Sequence, residues 1–402
     1  MRILFLAHRL PYPPNKGEKM RAFGELEALS QRHEIDVFCF YDDPRDGQYV
    51  EAVRKYCREF YAERIPWFRG RFQALVAAVL KRSFSLAFFY SRTMTRRVRE
   101  ALASRDYDLV FVYCTAMAQY VEHIAGIPRV LDMVDVDSDK WMKYARHSPP
   151  PLSWLWRQEA HRLAAYENQL VQEFTTTLLC TEVEAAVLLR RTSCQKIQVL
   201  THMLDVTSFD PHGVEITLEI KARQPYVIFT GSMDYLPNVD AVSYFHLEIF
   251  PRIRAAVPEI RFAVVGRNPT RLVRKLASDP AVWVTGSVAD TRPYLRGAVA
   301  AVVPLRIACG LQSKILEAMS MGLPTIATPQ PAMALPDSLR SLLIIAADPE
   351  EFAARVVEVI RRGSGTPDEA MRQAMLRYFD RRSLSDQVES IVAHARASKA
   401  AG

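Results

Sequence analysis

The chain has 402 residues, of which 49% are hydrophobic and 24% charged, and its formal net charge is +7. This length favours two or three domains, and the composition excludes long disorder, collagen and coiled coil as descriptions of the whole chain. No apolar run reaches the roughly 20 residues that span a bilayer, and the six cysteines lack the spacing of a metal site. We therefore expect an intracellular protein with reduced thiols. The positive charge admits nucleic acid, an anionic membrane surface or a phosphorylated small molecule as a partner, without choosing among them.

The first half of the chain predicts a parallel sheet covered by helices. Its strands are short and nearly continuous apolar runs, the pattern of strands buried on both faces. A Pro-rich loop at 11–17 and a helix at 18–31 follow the first strand and begin a βαβ rhythm. The predicted strands are 3–7, 35–41, 109–113, 129–133, 175–180 and 197–200.

A second βαβ series follows a turn-rich and then charged segment, which predicts a linker at 209–224. Its predicted strands are 226–230, 261–266, 282–285, 300–304 and 324–327, and its predicted helices are 241–253, 270–276, 291–298, 311–320, 350–362 and 368–396. The fold class expected is α/β, with two doubly wound Rossmann-like domains facing each other across a cleft. We place these domains at 1–208 and 225–375, and expect a C-terminal helix within 376–402 that packs back on the first domain.

The most informative stretch follows the predicted strand that ends at Pro304. A loop with Gly310 leads into a helix that opens near Leu311, and helix N-termini offer free amides and a positive dipole end to anions. Arg306 on the loop and Lys314 in the first turn add two cations, which suit a diphosphate better than one carboxylate. Glu317, about one turn further, would accept hydrogen bonds from a pair of hydroxyls such as those of a ribose. The alternative is an ordinary surface salt bridge between Lys314 and Glu317 on a capped helix.

Two further segments carry candidate chemistry. Asp132, Asp135, Asp137 and Asp139 come just beyond a strand, and Asp135 is the strongest candidate for a polar site residue. The alternatives are a metal-bridged diphosphate, or helix capping by Asp137 and Ser138. The segment 67–99 mixes basic and aromatic residues and predicts one or two amphipathic helices resting on anionic lipid, the alternative being an internal core with a solvated basic face.

These motifs carry a family resemblance. Glu317-Ala-Met-Ser-Met-Gly-Leu-Pro-Thr-Ile-Ala resembles the second-Glu signature of family 4 retaining glycosyltransferases, which have the GT-B fold. The first Glu of that family's Glu-x7-Glu pattern falls at Cys309, so the polar contacts are expected from Gln312, Ser313 and Lys314 instead. The combination with Asn-Lys-Gly-Glu-Lys and Val-Asp-Val-Asp-Ser-Asp-Lys-Trp in the first half is narrower, and resembles the sugar transferases associated with PEP-CTERM/exosortase exopolysaccharide systems.

The resemblance implies roles for individual residues. The stretch 229–240 resembles the first strand–loop–helix of the nucleotide-binding domain, the stretch 282–286 resembles the edge where the base lies, and the loop before residue 18 resembles the acceptor-side loop. A plain Pro-rich connection is the alternative for that loop. The catalytic residues implied are Arg306, Lys314 and Asp135. The donor-binding residues implied are Lys16, Gly17, Gly231, Asn238, Gly286, Gly310, Leu311, Gln312, Ser313 and Glu317. No metal and no cofactor is expected.

The function implied is transfer of a sugar, with retention, from a nucleotide-diphosphate sugar to a lipid-linked or polysaccharide acceptor in bacterial exopolysaccharide biosynthesis. The protein is then expected in the cytoplasm, in contact with the inner face of the cell membrane through anionic lipid, and without a nucleic-acid partner. A sugar-nucleotide 2-epimerase, which needs no acceptor, is one alternative. A non-catalytic protein that binds an anionic polymer is another, although no nucleic-acid recognition motif is present.

Overall fold

The chain divides into two compact units. The computed structural model describes residues 1–14, 17–192, 194, 196–201, 205–363 and 366–400. Unit 1 contains Met1–Leu204 and Arg381–Gly402, and unit 2 contains Asp205–Asp380. Every helix among the described residues is too short or too polar to cross a membrane.

Unit 1 is built on a parallel sheet that has seven strands over the described residues. The strands are β1 (Arg2–Ala7), β2 (Glu34–Tyr41), β3 (Glu59–Arg64), β4 (Leu109–Tyr113), β5 (Arg129–Val134), β6 (Thr176–Leu179) and β7 (Ile197–Val199). Their order is β3-β2-β1-β4-β5-β6-β7, and all neighbours pair in parallel. The central strands β1 and β4 are buried almost throughout because helices cover both faces of such a sheet.

Helices connect these strands, and the last helix of the chain belongs to the same unit. The helices are α1 (Gly17–Ser30), α2 (Val50–Arg54), α3 (Trp67–Val79), α4 (Phe84–Phe88), α5 (Arg92–Ser104), α6 (Asp137–Arg146), α7 (Leu152–Glu173), α8 (Glu182–Leu189) and α19 (Arg381–Ala400), with 3₁₀ turns at Pro44–Tyr49 and Thr115–Tyr120. His33 Nε2, just after α1, lies 3.0 Å from the Glu389 carboxylate, and Arg381 pairs with Glu27. These contacts fix α19 against α1.

Unit 2 repeats the plan with six strands among the described residues. The strands are β8 (Tyr226–Thr230), β9 (Arg261–Val265), β10 (Val282–Gly286), β11 (Ala300–Val303), β12 (Thr325–Ala327) and β13 (Ile344–Ile345), in the order β10-β9-β8-β11-β12-β13 and all parallel. The helices are α9 (Leu218–Lys221), α10 (Leu236–Tyr244), α11 (Phe250–Ala256), α12 (Arg271–Leu276), α13 (Arg292–Gly297), α14 (Ser313–Ser320), α15 (Pro329–Ala332), α16 (Asp337–Arg340), α17 (Pro349–Arg362) and α18 (Glu369–Tyr378), with a 3₁₀ turn at Val206–Ser208 and a π-helical segment at Phe245–Ile249.

The predicted fold class, two parallel-sheet Rossmann-like domains, is confirmed. Several elements differ in detail. The sequence did not indicate β3, because this edge strand mixes charged and apolar residues, nor the two-residue β13. Helix α14 begins at Ser313 rather than near Leu311, because Gly310 adopts a left-handed φ of 57° in the turn before it. The long helix predicted for 368–396 is two helices, α18 and α19, which belong to different units.

Candidate functional site

The strand order of unit 2 identifies one edge of its sheet as a ligand site. Connections leave in opposite directions from β8 and β11, which are neighbours in the sheet, so the crevice beyond their carboxyl ends is a topological switch point. The loop at Gly231 follows β8, and the loop that contains Arg306 and Gly310 follows β11. The two segments that the sequence singled out in this half therefore meet at this edge.

Lys314 and Glu317 lie in the first two turns of α14, next to this crevice. Both side chains are half-buried, yet among the described residues neither makes a salt bridge within 4.0 Å. The Lys314 ammonium lies 5.4 Å from the centre of the Phe229 ring and 3.4 Å from Gln312 Oε1. The surface salt bridge considered from the sequence is therefore wrong. Two opposite charges stand near each other, and each is open to an external partner.

Burial shifts the pKa of both groups towards neutrality. It lowers the pKa of Lys314 to about 8 and raises the pKa of Glu317 to about 7, and each shift is partly offset by the charge of the other group. A half-buried ion without an oppositely charged group in salt-bridge contact is costly, because neutral neighbours replace only part of the lost hydration. A ligand that places a phosphate next to the lysine and hydroxyls next to the glutamate would replace the interactions that each charge has lost with water. Such an arrangement is typical of a binding site.

The turn before α14 leaves the helix N-terminus open. Gln312 occupies the N-cap position, but its side-chain amide donates to the carbonyl of Cys309 at 2.8 Å and makes no capping bond. The first amides of a helix have no partner within the helix, so an uncapped start presents donors to a ligand. Gly310, Leu311, Gln312 and Ser313, the residues predicted to bind the donor, form the turn and the start of α14.

Arg306 is held by its neighbours rather than left open. Its Nε donates to Asp240 Oδ2 at 3.0 Å, a second guanidinium nitrogen also bonds that carboxylate, and the guanidinium lies 4.5 Å from the centre of the Tyr244 ring. These bonds to Asp240 are the main reason that the pKa of Arg306 is raised. The side chain is about half exposed (48%), so it keeps a solvent-facing edge. Asp240 was not singled out from the sequence.

The loop after β8 is shaped by close backbone packing. A Cβ on Gly266 would lie 1.7 Å from the carbonyl oxygen of Gly231, and one on Gly231 would meet the Asn238 side chain at 2.7 Å. Asn238 is 4% exposed, and its Nδ2 donates to the carbonyl of Ser232 at 2.9 Å. Asn238 therefore lies in the first turn of α10 and supports the backbone of the loop, while its buried Oδ1 has no partner among the described residues.

Sequence reasoning missed a cation at this edge. Arg267 lies two residues beyond the end of β9, its Nε donates to Ser232 Oγ at 3.0 Å, and its carbonyl accepts from the Met233 amide at 2.8 Å. The signal available was the position of Gly266-Arg267-Asn268 immediately after an apolar strand. By contrast, Gly286 ends β10, the outer strand on this side, and is separated from β8 by β9.

Unit 1 has its own switch point, between β1 and β4. His8 follows β1, and Cys114 follows β4 with a left-handed φ of 81°. Burial alone would lower the pKa of His8, but Cys114 and Glu18 raise it to about 9. His8 was not singled out from the sequence, although it directly follows the first strand. Gly17 is the first residue of α1, and the predicted site residue Lys16 lies outside the described residues.

Asp135 follows the next strand, β5. The preceding residue, Val134, has a left-handed φ of 68°, which is rare for a β-branched side chain and marks a constrained turn. Burial, with the charge of Glu184 nearby, raises the pKa of Asp135 to about 7. Asp137 lies inside α6, where it pairs with Lys140 at 2.5 Å, and neither Asp137 nor Ser138 caps the helix. The capping interpretation is therefore wrong.

Asp132 is paired with an arginine inside unit 1 and has a structural role there. Arg21 Nε donates to Asp132 Oδ2 at 2.5 Å, and the same guanidinium donates to the carbonyl of Leu200 at 2.6 Å. Arg21, Asp132 and Glu25 are all fully buried, and burial raises the pKa of Glu25 well above its usual range. No group of three or more His, Cys, Asp or Glu side chains in the described part of the chain is placed to hold a metal ion.

Comparison with known proteins gives one family match and many structural neighbours. Residues 224–362, about a third of the chain, match the model of the family "Glycosyl transferases group 1". No curated protein matches the chain significantly. Among solved structures, sucrose-phosphate synthase from Thermosynechococcus elongatus is 15% identical, with a TM-score of 0.72 over 99% of this chain and 100% of that one. Anabaena HepE, solved with UDP and glucose, is 14% identical, with a TM-score of 0.65 over 98% and 99%. A glycosyltransferase from Rickettsia africae is 13% identical, with a TM-score of 0.60 over 98% of each chain.

At these identities the neighbours establish the fold, and the family match concerns unit 2. Residues 224–362 of unit 2 match a glycosyl transferases group 1 domain, and the whole chain has the GT-B fold; together the two findings indicate a glycosyltransferase.

Proposed function

We propose that this glycosyltransferase takes its sugar from a nucleotide-diphosphate donor that binds at the β8–β11 edge of unit 2. The observation that carries the proposal is the pair Lys314 and Glu317, two half-buried charges on α14 without a salt bridge in the described structure. The ligands named for structural neighbours support it: HepE was solved with UDP-glucose, and a related E. coli protein with UDP-2-fluoro glucose. UDP and its sugars are therefore the first probes to use.

In this proposal the diphosphate lies against the N-terminus of α14. The Lys314 ammonium and the backbone amides of the first turn of α14 bind its oxygens, and Glu317 accepts hydrogen bonds from the two ribose hydroxyls. Gly231 and Asn238 give the facing loop its shape, which lets the backbone approach the donor. Gly286 lies further along the edge, at the place proposed for the base.

The chemistry proposed is transfer with retention through an oxocarbenium-like transition state. The bond between the anomeric carbon and the diphosphate breaks, and negative charge grows on the leaving phosphate. Lys314, Arg306 and the helix amides stabilise that charge, which is catalysis by preorganised electrostatics. The leaving phosphate takes the proton of the acceptor hydroxyl on the same face of the sugar, so no protein nucleophile is needed. Asp135 of unit 1 is proposed as the third catalytic residue.

The acceptor proposed is a lipid-linked or polysaccharide glycan, and the setting is bacterial exopolysaccharide biosynthesis in the cytoplasm. This part of the proposal is supported by the resemblance of the sequence motifs to the PEP-CTERM/exosortase-associated sugar transferases, within the family 4 retaining enzymes.

A thermal-shift titration tests the donor site. Nucleotide diphosphates and their sugars should raise the melting temperature of the protein, and Lys314→Ala and Glu317→Ala should each abolish the shift without lowering the melting temperature of the free protein. Lys275→Ala and Glu350→Ala, exposed residues of the same unit, are matched controls that should keep it. An unchanged shift in both site variants would contradict the proposed donor site.

A further inference from the structure

Helix α3 in unit 1 exposes its large apolar side chains and buries small ones, the reverse of an ordinary surface helix. The large apolar side chains on one side of it are exposed, from 40% for Val76 to 75% for Val79. Its buried side is made of small residues: Gly70 and Ala77 are buried, and a Cβ on Gly70 would meet the Phe88 ring of α4 at 2.6 Å. A helix normally buries its large apolar face, so this exposed face calls for a partner.

The exposed residues form one continuous stripe. At roughly 100° per residue they fall within about 140° of the helix circumference. The stripe consists of Phe68, Phe72, Leu75, Val76, Val79 and Leu80. A groove of about 420 Å³ beside it, between α3 and α4, is lined by further apolar side chains, including Leu86 and Tyr90. We call the stripe and this groove the α3–α4 surface.

The surface is held firmly on the unit. Glu159 of α7 accepts hydrogen bonds from Ser83 Oγ at 2.7 Å and from the Ser85 amide at 2.9 Å, at the start of α4. Arg162 of α7 donates to the carbonyl of Arg82 at 2.9 Å. The beginning of α7 adds the exposed side chains of Leu152 and Trp154. The apolar face is therefore a fixed part of the fold.

The segment that forms most of this surface carries only basic charges. The sequence from Arg64 to Arg99 contains no acidic residue, and the cations on and beside α3 are Arg64, Arg69, Arg71, Lys81 and Arg82. Arg69, which pairs with Glu63 at 3.3 Å, falls within the arc of the apolar stripe by helical spacing. Arg71 falls beside the stripe, and Lys81 and Arg82 follow its C-terminal end. Helix α5 behaves differently, since Met94, Val98 and Ala101 are buried there and its arginines face solvent. The interpretation as a core with a solvated basic face thus holds for α5 and fails for α3.

We propose that the α3–α4 surface docks unit 1 on an anionic lipid bilayer. Apolar and aromatic side chains flanked by arginine and lysine match the boundary between acyl chains and negatively charged headgroups. A second copy of this chain fits less well, because two surfaces of the same positive sign would face each other. The inference does not use the donor site, and its test needs neither donor nor acceptor.

Vesicle co-flotation of the full chain tests the proposal. The protein should float with vesicles that contain about 30% phosphatidylglycerol, should not float with neutral phosphatidylcholine, and should lose about tenfold in bound fraction at about 0.5 M salt. Leu75→Glu/Val79→Glu, at exposed positions, should reduce binding about tenfold or more. Leu218→Glu, which changes an exposed leucine of unit 2 (84% exposed), should bind like the unchanged protein.

Two further measurements keep the outcome decisive. Lys81→Glu/Arg82→Glu should reduce binding, whereas Arg361→Glu/Arg362→Glu, the same charge change at exposed positions of α17, should not. An equal loss of vesicle binding in the two double variants would mean that only net charge matters, and would contradict the proposed docking surface. Sedimentation velocity without lipid should show a monomer. A dimer that Leu75→Glu/Val79→Glu converts to monomer would instead identify a second copy of the chain as the partner and would contradict docking on a bilayer. Absence of binding to anionic vesicles would also overturn it, and would leave the donor site untouched.

Discussion

Donor affinity should depend on pH in a bell shape, because it requires two groups in opposite protonation states. Lys314 must carry its proton to bind phosphate, and Glu317 must have lost its proton to accept hydrogen bonds from hydroxyls. Since the pKa of Lys314 is about 8 and that of Glu317 about 7, the competent state is most populated near pH 7.5. A nucleotide-diphosphate sugar is the suitable probe, because its diphosphate is esterified at both ends and keeps a constant charge over this range.

The size of the effect follows from the two pKa values. At pH 7.5 about six-tenths of the free protein is in the competent state. At pH 9, one unit above the pKa of Lys314, about nine-tenths of the free protein has a neutral lysine, so the Kd should rise about sixfold over its value at the optimum. At pH 6, one unit below the pKa of Glu317, about nine-tenths has a neutral glutamic acid, and the Kd should again rise about sixfold. The sign is consistent with linkage: the bound phosphate raises the pKa of Lys314, so binding takes up protons at high pH. The bound hydroxyls lower the pKa of Glu317, so binding releases protons at low pH.

Isothermal titration calorimetry with UDP-glucose between pH 5.5 and 9.5 measures the Kd on both limbs of this bell-shaped curve, the loss of affinity at low pH and the loss at high pH. Lys314→Arg should remove the loss of affinity at high pH, because arginine stays charged. Glu317→Gln should remove the loss at low pH at the cost of weaker binding throughout. Lys275→Arg and Glu350→Gln, on exposed positions of the same unit, should keep both limbs. A Kd that does not change with pH, or limbs that persist in both site variants, would refute this account of the two charges.

Four further substitutions test other parts of the structure. Arg21→Met leaves the buried Asp132 carboxylate without its cation, so the free energy of unfolding should fall by about 3–5 kcal/mol in urea denaturation; a loss below about 1 kcal/mol would contradict the buried cluster. Gly266→Ala places a Cβ 1.7 Å from the Gly231 carbonyl oxygen at a φ that favours glycine, so the melting temperature should fall and the UDP-induced shift should disappear; an unchanged melting temperature would contradict the close packing of these loops. Arg306→Ala and Asp240→Asn should each weaken UDP binding about tenfold in calorimetry, because the two hydrogen bonds to the Asp240 carboxylate position the Arg306 guanidinium. Unchanged affinity in both variants would show that Arg306 does not belong to the site.

Strands and their partners were predictable where burial is complete. The runs at 3–7 and 109–113 are apolar throughout, because a central parallel strand must bury both faces. Strand β3 was missed since an edge strand such as Glu-Phe-Tyr-Ala-Glu-Arg keeps charges at its rim and resembles a loop in composition.

The site was predictable as far as it is local in sequence. The loop with Gly310, the start of α14 and the spacing of Lys314 and Glu317 lie within one short stretch, so helical geometry relates them. The bonds between Arg306 and Asp240 join residues 66 positions apart, and no local pattern indicates such a pair. The packing of Gly266 on Gly231 likewise depends on how two neighbouring strands end, which is decided by the sheet.

The most direct test of the donor site is a crystal structure of the full chain with a bound nucleotide-diphosphate sugar. We expect a diphosphate oxygen within hydrogen-bond distance of Lys314 Nζ, with the ribose hydroxyls donating to the Glu317 carboxylate. A donor bound at another edge of either sheet, with both side chains still free of it, would contradict the account.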